Sequence, residues 1–196
     1  MGENKRPQTP RDAWTAMVAG NHRFVTGAPA HPRQDIDLRA ALVEEQRPFA
    51  ALFGCADSRL SAEIIFDVGL GDLFVVRNAG QVIGETILGS LEYSVEVLEV
   101  PLILVLGHDE CGAIRATLDD IAGNLPASGK FIHHLVDQIR PTVLEANAAG
   151  KTEIDEVTEW HVQDTINEML TKSKTISDAV KAGKLGVVGA NYKLAL

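Results

Sequence analysis

The chain has 196 residues, 45% of them hydrophobic, and a formal net charge of −9. That length buries one sizeable core with an appended arm. The acidic balance, with no cluster of Lys or Arg, gives nucleic-acid binding no electrostatic support. No apolar run approaches the roughly 18 residues a membrane span needs. The start, Met1-Gly-Glu-Asn-Lys-Arg-Pro, lacks the apolar core of a signal peptide and fails the myristoylation pattern at Arg6. The expectation is a soluble cytoplasmic protein.

Thr9-Pro10 reads as a helix start, with Thr as cap and Pro in the first turn. Trp14, Met17, Val18, Phe24 and Val25 then recur at helical spacing and predict one apolar stripe. Gly27-Ala-Pro-Ala-His-Pro-Arg33 breaks that helix, and a second short helix is expected over 35–46. Residues 1–48 hold five of the eight prolines. They read as a helical arm that either folds back on its own domain or lies across a partner subunit, with the dimer contact expected, ahead of an α/β body over 49–196.

From Phe49 the pattern alternates. Strands are expected over 49–54, 72–76, 102–106 and 186–190. Helices are expected near 61–66, along Ile87–Leu98 up to Pro101, over 112–121 and 131–148, and over 153–182 as one element. Alternation at this spacing predicts a single α/β domain, its mostly parallel sheet flanked by helices on both faces. There is no internal repeat.

Two of these strands end on chemistry. Phe49-Ala-Ala-Leu-Phe-Gly runs into Cys55-x-Asp57-x-Arg59, and Leu102-Ile-Leu-Val-Leu-Gly into His108-x-x-Cys111. Ligand sites of open α/β sheets lie just beyond the carboxyl ends of strands. Two thiolates and an imidazole suit zinc, which prefers N and S donors in tetrahedral geometry, and three protein ligands leave one position open for catalysis. Asp57 is then a fourth ligand or the acceptor of a hydrogen bond from zinc-bound water, and Arg59 a bidentate donor that holds the carboxylate off the metal. Taken alone, the two cysteines also fit buried free thiols, and Asp57 with Arg59 a local ion pair.

Cys55-Ala-Asp-Ser-Arg59, Arg77-Asn-Ala-Gly80 and Gly107-His-Asp-Glu-Cys-Gly112 resemble the signature segments of the β-class carbonic anhydrases, and the resemblance covers roughly residues 10–196. It implies one Zn²⁺ per chain on Cys55, His108 and Cys111, with Asp57 and Arg59 as the dyad beside it. It also implies a four-stranded core in the order 2-1-3-4, which makes the first and third strands neighbours. The implied reaction is reversible hydration of carbon dioxide to bicarbonate and a proton, by attack of zinc-bound hydroxide on CO2. Phe74 and Tyr93 would line the apolar substrate pocket, the Gly112 amide would contact bicarbonate, and Gln46 would reach substrate across a homodimer or homotetramer. Without the resemblance, Phe74 and Tyr93 read as ordinary core residues. Members regulated by a second bicarbonate pocket carry Trp three residues before the first zinc Cys; Leu52 stands there, although Arg77 and Tyr192 match other parts of that pocket.

Two other readings share these residues: a carbonyl sulfide or carbon disulfide hydrolase on the same fold, and a non-catalytic zinc-binding regulatory protein. His22, His31, His133, His134 and His161 read as surface residues. Gly69-Leu-Gly71 is not a dinucleotide fingerprint, and H-E-x-x-H and G-x-S-x-G are absent.

Overall fold

A computed structural model describes residues 6–124 and 129–195. Its centre is a parallel sheet of β1 (Ala50–Cys55), β2 (Leu73–Asn78), β3 (Leu102–His108) and β4 (Gly186–Tyr192), in the order β2-β1-β3-β4. Every residue of β1 and β3 is buried, as continuous apolar runs require when both faces of a parallel sheet are covered.

Alternate residues feed two cores. Ala50, Leu52, Leu102, Leu104 and Leu106 face α1 (Pro10–Val25), α3 (Ala62–Ile65), α5 (Gly112–Ile121) and α6 (Lys130–Ala148) through Met17, Ile65, Ile114 and Ile139. Ala51, Phe53, Ile103 and Val105 face α4 (Glu85–Glu96), α7 (Ile154–Lys172) and α8 (Lys174–Lys181) through Leu91, Val162, Ile166 and Ile176. Helix α7 reaches the sheet at its glycines. A Cβ on Gly107 would stand 2.6 Å from Val162 Cγ2, and one on Gly189 2.8 Å from Val162 Cγ1. Those bare positions bring α7 down over the carboxyl end of β3, where the chemistry lies.

Helix α1 starts as expected, with Thr9 Oγ1 accepting the Asp12 N–H at 3.1 Å and Pro10 at the first position. Its buried face differs from the predicted stripe. Ala13, Met17 and Gly20 are buried, Trp14 and Phe24 flank them, and Val18 and Val25 remain exposed at 47% and 51%. Gly20 sets this face, because a Cβ there would lie 1.8 Å from the Phe66 carbonyl oxygen. Asp67 fastens the arm to the body: its side chain, 1% exposed, accepts from the N–H groups of Ala30 and His31 and from Arg23 Nε. The arm is therefore docked on its own domain.

The helix expected over 35–46 is only α2 (Ile36–Ala41). It buries no residue, and a short helix without a packed face does not propagate. The single helix expected over 153–182 is two. Ser173 breaks it with extended backbone (φ −102, ψ 107), accepting the Ile176 N–H at 3.1 Å while its hydroxyl donates to Glu92 Oε1 at 2.6 Å. The turn lets α8 bury Ile176 beside Leu91 of α4. Among the described residues no helix is long and apolar enough to cross a membrane.

Candidate metal centre

Parallel pairing of β1 with β3, Gly54 opposite Leu106, places the ends of both strands at one edge of the sheet. Cys55 ends β1, His108 ends β3, and Cys111 is the extended cap residue before α5. All three are buried, and their ligand atoms lie within 4.8 Å of one another. The Asp109 carbonyl lies 2.7 Å from His108 Nδ1 and can only accept, so Nδ1 carries the proton. Nε2 is left as a bare lone pair, buried and without a hydrogen-bond partner among the described residues.

The sulfurs are unequal. The Cys111 thiol, outweighing burial, brings Cys55 down to about 4, with further help from His108 and the Gly80 N–H 3.4 Å from its Sγ. The Cys55 thiolate and burial push Cys111 up. Two sulfurs and an aimed imidazole nitrogen, the ring fixed by a carbonyl behind it, are a donor set that fits zinc.

Beside this cluster Asp57 and Arg59 form a bidentate pair, Nε to Oδ1 at 2.9 Å and a terminal nitrogen to Oδ2 at 2.7 Å, and the Arg59 N–H also donates to Oδ1. The Arg59 guanidinium holds the Asp57 carboxyl well below the usual carboxylate range, against the opposing effect of burial. Asp57 Oδ2 lies 3.9 Å from His108 Nε2, so the carboxylate borders the metal position while both of its oxygens are engaged by arginine. Arg77 binds the same loop from β2, donating to the carbonyls of Cys55 at 2.9 Å and Asp57 at 2.6 Å. Leu52 is part of the sheet core at 2% exposure.

The remaining expected site residues lie elsewhere in the chain, apart from Gly112. Gly112 opens α5 next to Cys111 and, as a first helical residue, has an N–H with no intrahelical partner. Phe74 pairs with Ala51, four residues short of Cys55 along the strand, and packs its ring against Tyr93 with centroids 6.1 Å apart. Gln46 precedes β1 and borders a cleft with Val97, Leu98 and Pro101, at the opposite end of the sheet from Cys55. Within one chain the fold does not bring Gln46, Phe74 or Tyr93 to the cluster. Tyr93 is also no ordinary core residue, being 44% exposed.

Two contributors escape sequence reasoning. Gly80 adopts φ +71 and turns its N–H onto Cys55 Sγ. Its place in Arg77-Asn-Ala-Gly80, directly after a strand, is a signal in hindsight. His161, expected on the surface, is 4% exposed, with Nε2 2.7 Å from the Gly80 carbonyl oxygen. No local pattern marks it, because the contact spans 81 residues.

Residues 50–196 match the family pattern described as carbonic anhydrase. Carbonic anhydrase 2 of Mycobacterium tuberculosis is 50% identical over 186 residues, covering 94% of this chain and 89% of that protein. The carbonic anhydrase of Mycolicibacterium smegmatis is 48% identical over 187 residues, covering 95% and 90%. Among solved structures, the β-carbonic anhydrase CcaA superposes with a TM-score of 0.68 at 25% identity, over 92% of this chain and 90% of that one. The Coccomyxa β-carbonic anhydrase in complex with acetazolamide gives 0.70 at 25% identity, over 90% and 80%.

Proposed function

The chain belongs to the β-class carbonic anhydrases, and from that premise we propose how its residues divide the work. The enzyme catalyses zinc-dependent, reversible hydration of carbon dioxide to bicarbonate and a proton. One observation carries this: a buried Cys55–His108–Cys111 donor set beside an arginine-held carboxylate. The relatives at about half identity are carbonic anhydrases, which does not favour carbonyl sulfide or carbon disulfide hydrolysis or a non-catalytic zinc protein.

Cys55, His108 and Cys111 would hold the ion, which when bound would supply a Lewis acid that lowers the pKa of a water. Asp57 stays ionised and accepts a hydrogen bond from the reacting water, turning a lone pair toward carbon dioxide. Arg59 occupies both carboxylate oxygens and so would keep Asp57 from joining the ligand set. The Gly112 N–H, at a helix start, suits an oxygen of the bicarbonate product.

Gln46, Phe74 and Tyr93 act in this reading from a second copy of the chain. Tyr93 and Val97, one helical turn apart, are 44% and 58% exposed, and Val97 shares a cleft with Gln46. An apolar surface that also carries a polar hook suits a closed two-fold contact. We assign the arm, residues 1–48, to the edge of that contact, and the assembly to a dimer or a multiple of one. We place the chain in a reducing cytoplasm, which suits two cysteines that form no disulfide and serve as metal ligands.

Stopped-flow carbon dioxide hydration by zinc-loaded, zinc-stripped and reloaded protein tests the activity. Turnover should vanish on stripping and return on reloading. Full turnover by the stripped protein refutes the assignment, and assaying carbonyl sulfide with the same preparation separates the two substrates.

A further inference from the structure

Helix α7 lies over β3 because Gly107 and Gly189 leave room for Val162. The residue before Val162 is His161, buried at 4% exposure and separated by 81 residues from the Gly80 carbonyl it meets at 2.7 Å. That oxygen can only accept, so Nε2 carries the proton and donates. His161 Nδ1 is buried with no partner among the described residues. A buried imidazole with one nitrogen unsatisfied costs free energy that a leucine or methionine would avoid. Among the described residues, the contact with Gly80 is thus the one thing at this position that requires a donor.

Gly80 is equally constrained. Its backbone is left-handed (φ +71, ψ 17), and a Cβ would lie 2.8 Å from Ala113 Cβ and 2.9 Å from Ile139 Cδ1. With its carbonyl held on one side, its N–H is aimed on the other at Cys55 Sγ, 3.4 Å away. An N–H donated to a ligand sulfur orients the lone pairs and withdraws charge from the thiolate.

We propose that His161 is a positioning residue for the metal centre, fixing through the Gly80 carbonyl the N–H that orients Cys55 Sγ. Burial holds the His161 pKa below its ordinary value, so the ring stays neutral and the donor stays on Nε2. The inference rests on the zinc assignment above. An unaltered chain that binds no zinc refutes that assignment, whereas a zinc-loaded chain indifferent to substitution at 161 refutes only this one.

The test compares His161→Met, which fills the space without a donor, with His161→Gln, whose amide can still donate to Gly80. Two readouts are independent of turnover: zinc affinity by chelator competition, and the thiolate-to-metal charge-transfer band of the cobalt-loaded protein. His161→Met should fold, bind zinc about 10- to 100-fold more weakly and shift the band, as loss of an outer hydrogen bond to a ligand does. His161→Gln should restore both. Unchanged affinity and band in His161→Met overturns the proposal, as does equal impairment of the two variants, which would make the role one of packing. Should His161→Met not fold, the unaltered chain loaded with cadmium-113 decides by NMR. Scalar coupling of the Gly80 amide proton to the metal nucleus, together with coupling across the hydrogen bond from His161 Nε2–H to the Gly80 carbonyl, supports the proposal, and the absence of either overturns it.

Discussion

Gly80→Ala separates two costs that the fold imposes at the edge of the metal centre. The first is the backbone: at φ +71 an L side chain is strained by about 1–2 kcal/mol. The second is space. The new Cβ would meet Ala113 Cβ at 2.8 Å and Ile139 Cδ1 at 2.9 Å, side chains of α5 and α6 packed in the core. Overpacking of this kind costs about 1–3 kcal/mol. Gly27 is the internal control, since it shares φ +71 but has nothing within 4 Å of its Cβ position. Gly27→Ala should therefore show only the first cost, about 1–2 kcal/mol, and Gly80→Ala the sum, about 2–5 kcal/mol. For a chain of this size those losses lower Tm by about 2–8 °C and about 4–20 °C respectively. The assay is thermal unfolding at one saturating zinc concentration, because bound metal itself shifts Tm. Equal Tm values for the two variants would refute the reasoning, showing that Ala113 and Ile139 yield to the methyl group.

Metal analysis of the purified chain should find about one zinc per chain, and Cys55→Ser or His108→Ala should lose most of it, since removing a ligand from a three-residue set uncouples metal from fold; normal zinc in both variants excludes this site. Arg59→Ala frees the Asp57 carboxyl, whose pKa then rises toward the ordinary carboxylate value, and lets it compete for the metal; turnover should fall at least about 100-fold with zinc retained, and an active variant contradicts the role given to Arg59. Asp67 is held below the usual carboxylate range: burial opposes the shift, but the N–H groups of Ala30 and His31 and the Arg23 guanidinium outweigh it. A depressed carboxylate stabilises the fold above its unfolded pKa, about 3.9, and loses that contribution as pH falls through the folded value. Asp67→Asn should thus cost about 1.5–3 kcal/mol at pH 7, and the gap to the unaltered chain should narrow in acid; urea melts at pH 7 and below pH 4 measure it, and a gap that widens in acid reverses the argument. Gln46→Ala should lower turnover while zinc content and circular dichroism stay normal, and light scattering should give a dimer or a multiple of one; a fully active monomer removes the second copy from the mechanism.

The four strands of the sheet were legible from the sequence, to within two residues at each end, for a plain reason. A strand buried on both faces is a short apolar run whatever surrounds it, and a ligand next to its last glycine is local information. The convergence of Cys55 with His108 rested on the order 2-1-3-4 that the family resemblance implies, and the pairing of β1 with β3 bears it out. What the sequence left undetermined depends on partners remote along the chain. The buried face of α1 was settled by the backbone of Phe66 pressing on Gly20, a steric fact that apolar spacing does not contain. The long helix broke at Ser173 because Glu92, 81 residues away, offers its hydroxyl an acceptor. His161 reads on its own helix as one polar residue among several. It became buried because Gly107 and Gly189, two glycines of the sheet, admit α7 to within van der Waals distance. The sequence alone marked Cys55, His108 and Cys111 as candidate ligands with Asp57 and Arg59 beside them, because side-chain types at strand ends are local information, and the resemblance carried by those motifs supplied the metal and the reaction. The tertiary structure decided which neighbours hold those atoms in place, because hydrogen bonds and close packing between distant segments leave no periodic trace in either one.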